Sequence, residues 1–141
     1  MAGKKRAPWE MTLAKGISEE KKPELKNLTI HGQPCASYNE WYVSLGLDRL
    51  KLEYHYQEPF GLQLSRGSQI IDFLVMQAPK PTPLFVHGDY WHRGRLGEDE
   101  DLKVAEINRR MRGIWNDAIV IWEHECEDPE MAYQTLQDYF L

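Results

Sequence analysis

Several common chemistries are excluded by what this chain lacks. It has only two cysteines in 141 residues, Cys35 and Cys126. Two are too few for a disulfide framework and no C-x-x-C accompanies them, so reduced thiols are expected. A structural zinc site would need His87, His92 and Cys126 to converge from separate parts of the chain, and none is expected. No G-x-S-x-G or equivalent marks a serine or cysteine nucleophile. No apolar run approaches the roughly 18 residues that span a bilayer. The opening "MAGKKRAPWEM" is basic but lacks the apolar segment of a secretory signal, so a cytoplasmic or intravirion setting without a membrane partner is expected. Positive charge is also short, with 17 Lys and Arg against 22 Asp and Glu and a net charge of -5. That balance argues against a protein that coats nucleic acid non-specifically, because such binding draws on Lys and Arg through counterion release. It leaves room for a local basic patch.

What is present reads as an ordinary folded chain. Hydrophobic residues at 42% and charged residues at 28% are globular values, and the length suits one core. Residues 1 to 34 are rich in Lys, Glu and Pro with little period, including "KKR" at 4 to 6 and "EEKKPELK" at 19 to 26. They read as a flexible or extended arm before a single domain over 35 to 141. No internal repeat is present, and "APKPTP" at 78 to 83 is a proline-stiffened connection.

From Ser37 the periodicity is informative. "SYNEWYVSLGL" spaces Tyr38, Trp41, Tyr42 and Leu45 for a helix with Ser37 as N-cap and Gly46 near its end. "LKLEYHYQ" at 50 to 57 alternates as a half-buried strand, "QIIDFLVM" at 69 to 76 is an apolar strand interrupted by Asp72, and "PLFVH" at 83 to 87 is a third. "EDLKVAEINRRMRG" at 100 to 113 predicts a helix with Val104, Ile107 and Met111 on one face and Gly113 as stop. "DAIVIWE" at 117 to 123 is a short strand, and Asp128 with Pro129 opens a final helix. The order α-β-β-β-α-β-α defines an α/β fold with a mixed central sheet flanked by helices.

Polar residues then stand where polarity is costly. An ionised Asp72 in an apolar strand must be paired, bound to a cation or near solvent, and it is equally readable as a satisfied structural carboxylate. His87 ends a strand and His92 follows two aromatic residues in "HGDYWH". Either is a candidate proton acceptor at neutral pH if the neighbouring strands bring it to Asp72, and His87 is equally a hydrogen-bonded strand end. Glu40 completes an S-x-x-E capping box with Ser37, which accounts for it structurally. Arg93, Arg95, Arg109, Arg110 and Arg112 follow the cluster. Such a run is usually a solvated face, but beside carboxylates and histidines it suits a phosphodiester. Trp91, Trp115 and Trp122 read as core before they read as base-stacking platforms.

The combination of "ASYNEWYVSLGL", "SRGSQIIDFLV", "LFVHGDYWHRG" and "AIVIWE" resembles the very-short-patch-repair endonucleases and the phage and homing-type nucleases that share their E, D, H, D constellation, over residues 36 to 125. The resemblance implies a restriction-endonuclease-like core and a metal-dependent DNA endonuclease or nicking enzyme, in a bacterial host cell or phage-encoded. It implies Mg²⁺, with Mn²⁺ as substitute, held by Asp72 and the Val86 carbonyl. Glu40 matches the first-helix glutamate, His87 and His92 match the two histidines, and His92 takes the role of general base. Asp101 matches the carboxylate that orients that base, with Asp99 and Glu106 as competitors. Arg93, Arg95, Arg109 and Arg110 are the candidate DNA contacts. DNA is the implied partner, and the oligomeric state stays open, a homodimer included. The chain departs from the repair enzymes at Asp89, where they carry a zinc-binding cysteine, and it lacks their mismatch-recognising segments. On the third strand "FVH" replaces the E-x-K of commoner restriction-type nucleases, consistent with histidine in place of lysine. Two other classes remain: an inactive nucleic-acid-binding or virion-associated module of the same fold, and an interaction scaffold that binds no nucleic acid.

Overall fold

The structure, a computed structural model, describes residues 22–89 and 94–141. In chain order its elements are a 3-10 turn at Leu25–Asn27, β1 (Thr29–Ile30), β2 (Gln33–Pro34), α1 (Tyr38–Arg49), β3 (Tyr54–Pro59), β4 (Ile70–Val75), β5 (Thr82–His87), α2 (Gly94–Arg110), β6 (Ile119–Trp122), a 3-10 turn at Glu123–Glu125, and α3 (Pro129–Phe140). The class is mixed α/β, with a four-stranded mixed sheet and three helices. From α1 onward the order is α-β-β-β-α-β-α, as the periodicity predicts. The chain gathers into two compact units, residues 22–51 with Glu125–Leu141 and residues Leu52–His124.

The first unit is built on two capped helices. Ser37, with extended backbone, accepts the Glu40 N–H through its hydroxyl at 3.1 Å and starts α1. Asp128 does the same for α3 by accepting the Met131 N–H at 2.7 Å, and Pro129 takes the first helical position, where a missing N–H costs nothing. The helices approach closely at Gly46, where an added Cβ would lie 2.6 Å from Leu136 Cδ1 and 3.4 Å from the Tyr133 Cα. Arg49 reaches Glu130 at 2.7 Å and lies 3.7 Å from the centroid of the Tyr133 ring. Ahead of α1, β1 and β2 form a hairpin through His31 and Gly32, both at positive φ (50° and 80°), as a two-residue turn with matching right-handed twist requires. The described part of the arm thus holds a turn and a hairpin. Strands of two residues are too short to show a period.

In the second unit the strand order is β3-β4-β5-β6, antiparallel between β3, β4 and β5 and parallel between β5 and β6. A parallel neighbour needs a crossover, and α2 supplies it. Val104 and Ile107 of α2 pack with Leu74 and Phe85 of the sheet and with Phe60 and Leu64. On the sheet's other face Tyr54 and Tyr56 set their rings 5.4 and 5.1 Å from Phe73. The helix begins at Gly94, six residues before the predicted start, because the glycines and acidic residues at its beginning carry no apolar period. Gly113, at φ 83°, turns the chain after the helix toward β6. Lys51, at φ 62°, delays β3 to Tyr54.

Candidate functional site

The ladder between β4 and β5 joins Val75 to Thr82, Leu74 to Pro83 and Phe73 to Leu84. One residue further the pairing stops, and the half-buried Asp72 carboxylate accepts the Val86 N–H at 2.8 Å in place of a backbone carbonyl. This explains how a carboxylate is accommodated within an apolar strand: a charge-assisted bond replaces the ladder bond. The N–H and C=O of a strand residue point to the same edge. The Val86 carbonyl therefore also faces the β4 side, where Asp72 stands. Alternation places Asp72 and Leu74 on one face, and the Leu74 to Pro83 register puts Phe85 and His87 on that same face. His87 ends β5 opposite Trp122 of β6, with its ring edge-on to the indole at 5.3 Å and 75° and its Nε2 buried. The sheet thus brings Asp72, Val86 and His87 to one end of adjacent strands.

Glu40 belongs to the helical unit. It is buried at 8% exposure, and its Oε2 accepts the Ser37 hydroxyl at 3.3 Å while Ser37 Oγ accepts the Glu40 N–H. Ser37 and Glu40 thus bond each other across the first turn, as the S-x-x-E spacing predicts. Cys35 lies beside it, with Sγ donating to the Ser37 carbonyl at 3.0 Å. Burial pushes the Cys35 thiol up, against the lowering effect of its bond to the Ser37 backbone; the Glu40 charge adds to the rise, and the Trp41 backbone opposes it. Neither cysteine is in a disulfide.

His92 and Arg93 lie outside the described residues, as does Trp91, and of Arg95 only the helical backbone is described. The three competitors for the orienting carboxylate separate clearly on α2. Glu106 is buried, and both its oxygens accept the Ser65 N–H, at 3.0 and 3.1 Å, while Arg110 reaches it at 2.7 Å. Desolvation raises the Glu106 pKa, but the Ser65 backbone and side-chain bonds with the Arg110 and Arg109 charges outweigh it, so the carboxyl is held below its ordinary value. Asp99 pairs with Arg66 at 3.0 Å. Asp101 is exposed. Arg110 also donates to the Gln63 carbonyl, so its guanidinium clamps the β3–β4 loop to α2; Arg109 and Arg110 are both exposed. Trp115 packs against Phe60 at 5.9 Å, a core role.

No family model, curated protein or solved structure matches this chain. Among the described residues no group of three or more His, Cys, Asp and Glu is arranged to hold a metal ion, and no helix is long and apolar enough to cross a membrane.

One pair at this sheet end is missing from the sequence reading. His124 Nδ1 lies 2.8 Å from Asp89 Oδ1, two residues beyond Trp122 and two beyond His87. The available signal was that β5 and β6 each run into a histidine. Only their parallel register shows that those ends adjoin.

Proposed function

We propose that the chain is a metal-dependent DNA endonuclease or nicking enzyme of the kind that the E, D, H, D resemblance implies, built on a restriction-endonuclease-like core. The observation that supports it most directly is the Asp72 carboxylate fastened to the Val86 peptide at 2.8 Å, on the face and at the sheet end where His87 stands. One carboxylate and one carbonyl are hard oxygen donors. They fit Mg²⁺, or Mn²⁺ in its place, since Mg²⁺ keeps several waters and takes further oxygens from a substrate phosphate. The ion when bound supplies charge neutralisation and orientation.

The chain's own residues do the rest. His92 removes a proton from the attacking water, Asp101 orients that histidine, and His87 sits near the phosphate or the departing oxygen. Glu40 keeps the role that the resemblance implies for the first-helix glutamate. Arg93, Arg95 and Arg109 contact the DNA backbone, with Arg110 adding less because Glu106 already holds it. Water attacks phosphorus, the bond to the departing oxygen breaks, and a phosphomonoester and a hydroxyl result.

Plasmid relaxation or linearisation by the wild type, Asp72→Ala and His92→Ala, with Mg²⁺, Mn²⁺ or chelator, tests this reading. Metal-dependent cutting by the wild type, lost in both variants, is expected; full cutting by either variant overturns the role assignment. The same Asp72 bond favours the second reading, a nucleic-acid-binding module without catalysis, in which Asp72 only completes the ladder. Salt-dependent DNA affinity with no metal requirement and no product is its signature.

A further inference from the structure

The endonuclease reading supplies a base for the attacking water, but His87, the residue it sets near the phosphate or the departing oxygen, has its Nε2 buried. In the parallel pair β5 and β6, Val86 stands opposite Ile121 and His87 opposite Trp122, so both strands finish at the sheet end that holds Asp72. Just past those ends, Asp89 Oδ1 and His124 Nδ1 meet at 2.8 Å. The two side chains are 45% and 61% exposed, so this contact is not a buried structural bond. Strands are spaced about 4.8 Å apart, which sets β6 roughly 10 Å from β4 with β5 between them. A carboxylate on Nδ1 fixes ring orientation and tautomer and stabilises the imidazolium, so a proton given up by the ring comes from Nε2.

We propose that His124, held by Asp89, is the proton donor to the departing oxygen in the proposed hydrolysis. The inference rests on the endonuclease reading. As the water oxygen bonds to phosphorus and gives its proton to His92, the bond from phosphorus to the bridging oxygen breaks. That oxygen takes the proton from His124 Nε2. The electron pair of the N–H bond stays on the ring, whose Nδ1–H continues to donate to Asp89. The two histidines end with the opposite protonation and exchange with solvent.

The test separates donation from mere support. In His124→Asn the side-chain amide nitrogen falls near the place of Nδ1, keeping a donor for Asp89 while removing Nε2. Wild type, His124→Asn and Asp72→Asn are assayed in Mn²⁺ on a DNA duplex with an all-oxygen backbone and on duplexes with sulfur at the 3′ or 5′ bridging position, folding being checked by circular dichroism. Sulfur departs without needing a proton. His124→Asn is expected to cut the all-oxygen duplex roughly 10²- to 10⁴-fold more slowly and the duplex with a sulfur leaving group at close to the wild-type rate, while Asp72→Asn stays slow on every substrate. Unchanged cutting of the all-oxygen duplex by His124→Asn overturns the inference, and so does an equal loss on oxygen and sulfur substrates. A wild type that cuts none of them overturns the endonuclease reading itself.

Discussion

At the scale of single residues, Asp72 has one duty in the fold, the Val86 bond, and one proposed, holding a cation, and substitution can separate them. Asp72→Ala leaves the Val86 N–H without its acceptor, a loss of about 1–3 kcal/mol if no water replaces it. Asp72→Asn keeps an oxygen for that N–H while removing the charge a cation needs. Urea denaturation is expected to show Asp72→Asn near wild type and Asp72→Ala clearly weaker, with both inactive on plasmid DNA in Mg²⁺. Glu106 carries a pH signature. Its pKa is lower folded than unfolded, so its contribution to stability is fully present above the ordinary glutamate value of about 4.3. That contribution is lost as pH falls through the lower folded value. Denaturation midpoints followed below about pH 4.5 should fall less steeply for Glu106→Gln than for the wild type. An unchanged acid limb would assign that loss to other carboxylates.

At the scale of elements, local chemistry sets the helices and one glycine sets their spacing. Asp128→Ala removes the acceptor of the Met131 N–H and is expected to cost about 1 kcal/mol in urea denaturation. Gly46→Ala adds helix propensity worth about 0.8–1.0 kcal/mol but drives a methyl to within 2.6 Å of the buried Leu136. Overpacking costs typically about 1–3 kcal/mol, so a net destabilisation is expected from the same measurement. The β3–β4 loop illustrates the opposite case. Gly67, at φ 106°, and the Leu64–Gly67 bridge shape it locally. Its seat on α2 comes from Glu106, Arg110 and Asp99 reaching Ser65, Gln63 and Arg66. From sequence that run read as a solvated face or, beside the polar cluster, as a set of DNA contacts. The fold adds that Arg110 holds the loop through Gln63 and Glu106.

At the scale of the whole molecule, charge limits how the proposed nuclease would hold DNA. With a net charge of -5 and Arg110 already paired with Glu106, Arg93, Arg95 and Arg109 remain as the proposed phosphate contacts. Three such contacts give log K a slope against log salt of about -3 or shallower on duplex DNA. Fluorescence anisotropy of a labelled duplex in chelator, over a range of salt, measures it. A much steeper slope would require basic residues beyond these three.

The pattern of residues determined the elements and their order, because caps and periods act within a turn or two of the chain. Ser37, Asp128 and Pro129 marked helix starts that the structure reproduces, and the alternation of Tyr54 and Tyr56 marked β3. It also singled out Asp72 and His87 as costly polar positions. What each polar group pairs with was decided by register and packing: Asp72 with Val86 across 14 residues, Asp89 with His124 across 35, Glu106 with Ser65 across 41. Those separations exceed the range of any local signal. A partner that distant becomes fixed only when β4, β5 and β6 align and α2 crosses between them, so the bonds that give each carboxylate its work belong to the tertiary fold.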